Sequence, residues 1–334
     1  MNKLSRFSGL DIISGLFITQ IVLMHVLQWA NLYKTGTLFD EWQSIFFFFM
    51  PWFYFKAGLF INRKKSVKEH LRHDIKRLLI PFVVFSLVGS FVYIGIELWN
   101  SERPLWKILL SPLVGIIRDG SPAGNLPLWF LLSLFWSRLL FRLISDRHEI
   151  LSFIMACVAG AILAFYDLRL PFSLSTAFPG LAFLFLGKWS KNIVLGNQKF
   201  IFLNNRGGVI LCVILFCLLL VAFHPNDGFR LNRVSGNYFA WIVTSYVGCV
   251  ALSLIFRYIS FSLFEYLGRN SMLYYVIHWI PIMIAHKTIT SFVPDLSPKL
   301  LLLSVFCFVC VTLGVCSLPG IRKQIPAWVL GEKK

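Results

Sequence analysis

Long runs of apolar residues, separated by short polar segments, recur along the chain from residue 10 to residue 318. A helix needs about 20 consecutive apolar residues to cross the hydrocarbon layer of a bilayer. This pattern predicts an all-α, polytopic integral membrane protein with ten transmembrane helices in a single domain over residues 1–334. The predicted spans are residues 10–30, 42–62, 78–99, 126–145, 150–166, 172–190, 208–224, 237–257, 271–293 and 299–318.

Two segments need separate treatment. The apolar run at residues 105–120 is short, contains Pro112 and ends near Arg118, so it predicts an interfacial or re-entrant piece and not a further span. The first apolar run is too long for the core of a signal peptide and lacks a cleavage site with small residues. We therefore expect it to be retained as the first span.

The composition supports this class and narrows the chemistry. The chain is 57% hydrophobic and 14% charged, with a mean hydropathy of +0.72. A soluble domain carries about 25% charged residues. All seven cysteines fall within apolar runs, where they behave as small buried hydrophobic residues. Although Cys307 and Cys310 form a CxxC pair, no histidine or aspartate lies near them in that run, and no metal is expected.

The net charge of +17 follows the predicted topology. With ten spans, both termini lie on one side, and the segments on that side hold more than twice as many Lys and Arg residues as the opposite segments. The positive-inside rule then predicts cytoplasmic termini and a multi-pass protein of the cell (inner) membrane, surrounded by lipid. The basic excess is thus a topology signal, and nucleic acid is not an expected partner.

Polar residues within the first span form one stripe. Around a helix, Ser14 lies about 20° and Asp11 about 40° from His25, which predicts that the three face the bundle or a wet cavity. Asp11 and His25 are separated by about 21 Å along the axis, so an acidic partner of His25 has to come from elsewhere. Glu41 and Glu97 reach a similar depth and are the candidates. A histidine satisfied by a backbone carbonyl is the structural alternative.

Two further ionisable residues fall inside predicted spans. His278 lies about 10 Å along the ninth span, and Lys56 lies near the inner end of the second. Ionisable residues at such depths are candidates for function because burying them in hydrocarbon costs several kcal/mol. The alternatives are a histidine that packs in an aromatic interface and a lysine that extends to the membrane surface.

The segment between the second and third spans is strongly basic. It acts either as positive-inside anchoring or, together with the stripe that opens at Asp11, as a site for an anionic cytoplasmic metabolite. A phosphate-bearing donor suits such a cluster. Its basic residues are Arg63, Lys64, Lys65, Lys68, Arg72, Lys76 and Arg77.

Five motifs together resemble a known family. They occur in the order LDIISGLFITQIVLMH, FFFFMPWFYFKAGLF, KRLLIPF, LPLWFLLSLF and LGRNSMLYYVIHW. In this order they resemble the acyltransferase 3 family of membrane acyltransferases, particularly its fucose-4-O-acetylase-like branch. The resemblance implies a ten-span enzyme that takes an acyl group, usually acetyl, from cytoplasmic acyl-CoA. The acceptor it implies is a hydroxyl of a surface glycan or of its lipid-linked precursor.

The resemblance also implies roles for individual residues. His25 corresponds to the essential first-span histidine of the family, and Lys76 and Arg77 correspond to its basic motif. Tyr275 and His278 correspond to its "YxxH" element. Trp129 falls in its "WFL" element.

Two positions depart from the family pattern. Ser14 stands where many members have an arginine, and Phe49 stands where the branch often has a histidine. The absent arginine leaves open how the donor is held, and Lys56 is the candidate for the absent positive charge.

These observations lead to a functional hypothesis. His25 takes a proton from the acceptor hydroxyl as it attacks the thioester, and a transient acyl-histidine is the alternative. Acyl-CoA is a substrate here, and no resident cofactor is expected. The expected donor-binding residues are Asp11, Ser14, Lys56, Arg72, Lys76 and Arg77.

Two other classes remain open at this point. A transporter or flippase for a lipid-linked sugar would use the polar stripe as a path without bond chemistry. A structural subunit of a polysaccharide-assembly complex would leave the buried histidines unexplained. Under the enzymatic hypothesis, polysaccharide-assembly proteins are possible partners.

Overall fold

The computed structural model describes residues 5–61, 66–144, 146–195, 205–225, 228–234 and 236–331. Within these ranges the chain forms α-helices joined by short turns and contains no strand. The basic residues Arg63, Lys64 and Lys65 of the predicted donor segment lie outside the described residues. The helices are α1 (Ser5–Trp29), α2 (Leu38–Ile45), α3 (Phe49–Leu59), α4 (Val67–Asp74), α5 (Ile80–Asn100), α6 (Leu105–Asp119), α7 (Trp129–Leu143), α8 (Glu149–Phe165), α9 (Leu174–Val194), α10 (Arg206–Phe223), α11 (Tyr238–Ile255), α12 (Ser262–Arg269), α13 (Ser271–Ile277), α14 (Trp279–Phe292), α15 (Pro298–Ser317) and α16 (Pro319–Gln324).

The helices confirm an all-α membrane protein. Each of the ten predicted spans overlaps at least one helix among the described residues. Among the described residues, six helical segments are long and apolar enough to cross a membrane. The number of ten crossings and the cytoplasmic position of the termini remain predictions. The six segments are Ser8–Trp29, Val67–Trp99, Leu126–Leu143, Arg206–Phe223, Tyr238–Ile255 and Pro298–Ser317.

Two predicted spans are broken, which corrects the expectation of continuous helices. Residues 42–62 divide into α2 and α3, and residues 271–293 divide into α13 and α14 at His278. Proline has no backbone N–H and cannot bond the carbonyl four residues earlier. Pro51 and Pro281 each lie a few residues after the interruption and remove one backbone donor there, while His278 itself keeps helical torsions of φ −55° and ψ −33°.

The short apolar run at residues 105–120 is also helical. It forms α6, which continues through Pro112 and ends at Gly120 with a φ of +72°. A left-handed residue is a common helix stop, and glycine adopts this conformation without steric cost. Ile108 and Pro112 are buried, whereas Leu113 is exposed. The interfacial or re-entrant placement of this helix remains a prediction.

Close backbone contacts between small residues hold the central helices together. A Cβ added to Gly268 of α12 would lie 1.7 Å from the carbonyl oxygen of Asp11 on α1, and one added to Gly15 would lie 2.0 Å from that of Phe264. α3 and α9 meet in the same way at Gly58 and Gly187. Small residues let membrane helices approach closely, where van der Waals packing and not hydrophobic transfer drives association.

The contact between α1 and α12 yields a stability prediction. We expect Gly268→Ala to lower the free energy of unfolding by about 1–3 kcal/mol, because the new methyl group meets backbone that cannot move aside locally. Thermal unfolding of the detergent-purified protein measures the change. Gly314→Ala on α15 is the control, since a Cβ there meets no atom of the described residues within 4 Å. Equal stability of the two variants would contradict the packing described here.

Candidate functional site

Two imidazoles from separate helices meet in the bundle. His25 on α1 and His278 at the break between α13 and α14 stack with ring centroids 5.4 Å apart and an interplanar angle of 19°. The sequence analysis predicted His25 in the first span and His278 in the ninth span. It predicted no contact between them. His278 lies at the junction of α13 and α14 and its ring meets α1, so the two rings form one polar centre, which we call the histidine pair.

Hydrogen bonds fix the tautomer of His278. Its Nδ1 lies 3.0 Å from the carbonyl oxygen of Tyr274 and 2.9 Å from that of Tyr275. Because a carbonyl oxygen only accepts, Nδ1 carries the proton and Nε2 keeps its lone pair. That Nε2 is buried and has no hydrogen-bond partner among the described residues. The carbonyl-satisfied histidine that served as the alternative for His25 is thus realised at His278, at one nitrogen only.

The ring of His25 has the same tautomer. Its Nδ1 lies 2.7 Å from Oε1 of Gln28, one turn along α1, and this oxygen accepts the Nδ1 proton. The side chain is half-buried, and its Nε2 is left with a lone pair. The edge of Trp279 packs against the ring, with centroids 5.0 Å apart. An imidazole in this state can accept a proton at Nε2 while Gln28 holds its orientation.

The structure does not bring the proposed acidic partners to His25. Among the described residues, its polar and ring contacts are Gln28, His278 and Trp279. Glu41 is exposed in the first turn of α2, where a carboxylate interacts favourably with the helix dipole. Glu97 lies 3.6 Å from Arg103 and 3.9 Å from Lys287. The hydrogen-bond partner of His25 is therefore the side-chain amide of Gln28, whereas the sequence suggested the carboxylate of Glu41 or Glu97.

A cavity of about 460 Å³ opens at the end of the bundle that was predicted to be cytoplasmic. Its wall contains five cationic or imidazole side chains besides Lys56, and one acid. Of the six cationic or imidazole side chains, the sequence had suggested only Lys56 and Arg77 as donor-binding residues. The other four were not predicted. The polar lining consists of Ser14, Lys56, His70, His73, Asp74, Arg77, Arg138, Arg142 and Ser271. We call this space the inner cavity.

Lys56 pairs with the polar stripe of α1. Its Nζ lies 2.8 Å from Oδ1 of Asp11 and 2.9 Å from Oγ of Ser14. The lysine therefore turns into the bundle and does not extend along the helix to the surface. Its ammonium group lies beside Ser14, the position at which the resemblance predicted an arginine. The lysine on α3 therefore supplies a positive charge there.

The basic motif before α5 contributes unequally. Residues Ile75–Leu79 form a π-helical segment, which changes the angular spacing of the side chains. Arg77 lines the inner cavity, whereas Lys76 and Arg72 are exposed outside it. Of the expected donor residues, Ser14, Lys56 and Arg77 therefore lie together, Asp11 is joined to them through Lys56, and Arg72 and Lys76 lie apart.

Sequence reasoning missed two arginines on α7. Arg138 and Arg142 are four residues apart, so they share one face of an otherwise apolar helix, and both line the inner cavity. Arg138 lies 2.8 Å from Oδ1 of Asp74, a buried carboxylate on α4 that also contacts His73. Two arginines at an i, i+4 spacing within the predicted span 126–145 could have indicated a polar face on this helix.

A narrower apolar cavity of about 140 Å³ extends the inner cavity towards the histidine pair. The two share Phe53, Leu134, Ser271 and Met272. The far wall of the narrow cavity includes Tyr275, whose ring centroid lies 6.1 Å from that of His278. The inner cavity and this smaller cavity are therefore neighbours, and Tyr275 separates the smaller one from His278; we call the smaller cavity the apolar passage.

The other two aromatic candidates have different positions. Tyr275 lines the apolar passage, and its hydroxyl donates a hydrogen bond to the carbonyl oxygen of Pro127. Trp129 is buried in the core, where its ring lies 6.1 Å from Phe130 and 6.2 Å from Phe229. Trp129 thus supports the wall formed by Phe130 and does not itself line either cavity.

A family model matches most of the chain. The model of the acyltransferase 3 family, described as an acyltransferase domain, matches residues 7–320. The matched segment contains both histidines, the inner cavity and the apolar passage. No curated protein and no solved structure gives a significant match. The fucose-4-O-acetylase-like branch remains a prediction.

Proposed function

Because the chain belongs to the acyltransferase 3 family and is a membrane acyltransferase, we propose that it transfers an acetyl group from cytoplasmic acetyl-CoA to a hydroxyl of a glycan. The acceptor is a cell-surface glycan or its lipid-linked precursor. The observation that carries this proposal is a cationic cavity with an apolar neighbour that extends to Tyr275, beside the stacked rings of His278 and His25. The protein would act in the cell's inner membrane with both termini inside.

The inner cavity suits the nucleotide end of acyl-CoA. Arg77, Arg138 and Arg142 offer planar groups with several donors each, and these bind phosphate oxygens in a bidentate manner. Lys56 adds a point charge at the deeper end. A cluster of arginines with one carboxylate, which is already paired with Arg138, favours a multiply charged anion over a neutral metabolite.

The apolar passage suits the pantetheine arm. Ser14 at the inner cavity and His25 are eleven residues apart on α1, which corresponds to about 16 Å of helix. An extended pantetheine arm bridges such a distance, while its phosphates remain in the inner cavity. The apolar walls formed by Ile18, Phe130 and Leu131 exclude water around the thioester.

His25 would act as the general base. Its Nε2 removes the proton of the acceptor hydroxyl while the oxygen forms a bond to the thioester carbonyl carbon. The C–S bond then breaks, and the departing thiolate of CoA takes the proton from the His25 imidazolium. Gln28 keeps Nδ1 protonated throughout and therefore keeps Nε2 directed at the reactants.

His278 would support this base as a neutral neighbour. Its Nδ1 is held by two carbonyl oxygens, so the ring cannot turn to take the place of His25. The parallel stack provides a polar surface beside the reaction centre inside an apolar bundle. A transporter without bond chemistry has no need for a base held in a single tautomer, which favours the enzymatic function over that rival.

Replacement of the base gives the first functional prediction. We expect His25→Ala to lower acetyl transfer from acetyl-CoA by about 10²- to 10⁴-fold, because the hydroxyl loses its proton acceptor. The measurement is incorporation of labelled acetyl into base-labile esters on the glycans of membranes that contain equal amounts of folded protein. His148→Ala, at an exposed histidine that lines neither cavity, should retain full activity. Retained transfer in His25→Ala would remove His25 from the mechanism.

The donor site gives a second prediction. We expect Arg142→Gln to raise the KM for acetyl-CoA about tenfold, since a charge-assisted hydrogen bond to phosphate is worth about 1.5–3 kcal/mol. Arg72→Gln is the matched control, because Arg72 belongs to the same basic end of the protein but is exposed outside the cavity. Its KM should change less than about twofold, a difference of under about 0.5 kcal/mol.

A shortened donor sharpens this test. S-acetylpantetheine has the same thioester but no phosphates, so its KM should be equal for the wild-type protein and Arg142→Gln. If the Arg142→Gln change raised the KM of both donors equally, the arginine would act on the fold and not on the phosphates.

A further inference from the structure

Residues 325–331, which follow α16, fold back onto the start of α5. They include a short 3₁₀ turn at Ala327–Leu330. Leu330 is only 1% exposed and belongs to the main hydrophobic core, and Val329 packs against the same core. The turn lies against both α5 and the π-helical segment Ile75–Leu79. We call residues 325–331 the docked segment.

The docked segment ends on the backbone of Arg77. Gly331 is buried and has a φ of +67°, a conformation that glycine adopts without steric cost. A Cβ added to Gly331 would lie 2.5 Å from the carbonyl oxygen of Arg77 and 2.6 Å from its Cα. These distances leave no space for a methyl group. The docked segment therefore meets, backbone to backbone, a residue whose side chain lines the inner cavity.

The backbone around Arg77 departs from a regular α-helix. In the π-helical segment Ile75–Leu79, the N–H of Ile80 bonds to the carbonyl oxygen of Ile75, five residues earlier. Pro81 has no N–H, so the α-helical hydrogen bond to the carbonyl oxygen of Arg77 cannot form. A π-helical turn holds one extra residue, which rotates the side chains on its two sides relative to each other by about 100°. The direction of the Arg77 side chain therefore depends on this wide turn.

The docked segment affects the inner cavity only indirectly. The structure describes all of its residues, and none of them lines this cavity. Lys76 belongs to the same π-helical segment as Arg77 but is exposed outside the cavity. A change of one residue in the turn would rotate Arg77 by about 100° and carry its side chain away from the cavity. Support of the Arg77 backbone from outside the helix opposes such a change.

We propose that the docked segment positions Arg77 for the phosphates of the donor. Leu330 anchors the segment in the core, and Gly331 places it against the Arg77 backbone, so the π-helical turn keeps the form that directs the guanidinium into the inner cavity. An arginine that is already held in place loses less conformational entropy when it binds phosphate. Gly331 and Leu330 are thus positioning residues of the donor site. The inference rests on the proposed function and adds the element that orients its arginine.

Gly331→Ala tests this contact at its closest point. The added methyl group meets the Arg77 backbone, so the docked segment and the π-helical turn have to move apart. Gly236→Ala is the matched control. Gly236 also has a positive φ, of +77°, but a Cβ there meets no atom of the described residues within 4 Å. Both variants therefore carry similar backbone strain, and only the first disturbs Arg77.

We expect Gly331→Ala to raise the KM for acetyl-CoA about tenfold, because Arg77 loses a charge-assisted hydrogen bond to phosphate. The KM for S-acetylpantetheine, which has no phosphates, and the kcat should both stay within about twofold of the wild-type values. Gly236→Ala should change none of these quantities. A rise of the KM for both donors would show that Gly331 acts on the whole fold, and it would overturn the inference.

Leu330→Val provides a milder second variant, which keeps the test available if Gly331→Ala does not fold. It shortens the anchor of the docked segment without filling the space beside Arg77. We expect the same pattern, a higher KM for acetyl-CoA alone. An unchanged KM for acetyl-CoA in every folded variant of Gly331 and Leu330 would overturn the inference.

Arg77→Gln shows whether the docked segment acts through this arginine. In the Arg77→Gln background, Gly331→Ala should change the KM for acetyl-CoA less than about twofold, since both substitutions remove the same interaction. Effects that multiply in the double variant would overturn the inference and leave the proposed function intact. If Arg77→Gln alone left the KM for acetyl-CoA unchanged in an active protein, the proposed donor site would be wrong, and the inference with it.

Discussion

The stacked contact between His25 and His278 is the interaction on which the rest of the site depends. A polar ring in an apolar bundle must be satisfied from within the protein, because hydrocarbon offers no hydrogen bonds. At His278, Nδ1 meets this requirement through the carbonyl oxygens of Tyr274 and Tyr275, one turn earlier in α13, and on α1 Gln28 satisfies the second imidazole. Both rings then keep an unprotonated Nε2.

The surroundings of this contact differ on its two sides. Towards one end of the bundle, charged side chains line a cavity that narrows between apolar walls before it reaches Tyr275. Towards the other end, aromatic rings with unpaired nitrogens follow His25. An anionic donor with a long arm requires cationic side chains and an apolar channel. A neutral acceptor with hydroxyl groups requires hydrogen-bonding groups and aromatic rings. Under the proposed function, the asymmetry allows each substrate to reach one nitrogen from its own side.

Much of the fold was predictable, since runs of apolar residues dictate membrane helices almost independently of their neighbours. The breaks within the second and ninth runs were not predicted, although Pro51 and Pro281 were visible signals. Hydropathy averaged over 20 residues hides a proline, because proline changes backbone bonding and not the mean polarity. The π-helical segment at Ile75–Leu79 is a local departure of the same kind.

The site was predictable only in part, because helical periodicity relates residues within one helix. It grouped Asp11, Ser14 and His25 on α1, where Asp11 and Ser14 contact Lys56 and His25 contacts His278. It gave no means of pairing Lys56 with Asp11 or His278 with His25, since these contacts join separate helices. Equal depth in the membrane likewise suggested Glu41 and Glu97 as partners of His25, whereas the partner is Gln28 on α1 itself, at an i, i+3 spacing that the sequence displayed.

The central claim is that the thioester of a cytoplasmic donor reaches Nε2 of His25. A cryo-electron-microscopy structure with an acetyl-CoA analogue, in which a methylene group replaces the thioester sulfur, tests it most directly. The account predicts phosphates at Arg77, Arg138 and Arg142, the pantetheine arm in the apolar passage and the carbonyl group beside His25. An analogue whose carbonyl group lies away from the histidine pair, or whose phosphates bind outside the inner cavity, would contradict it.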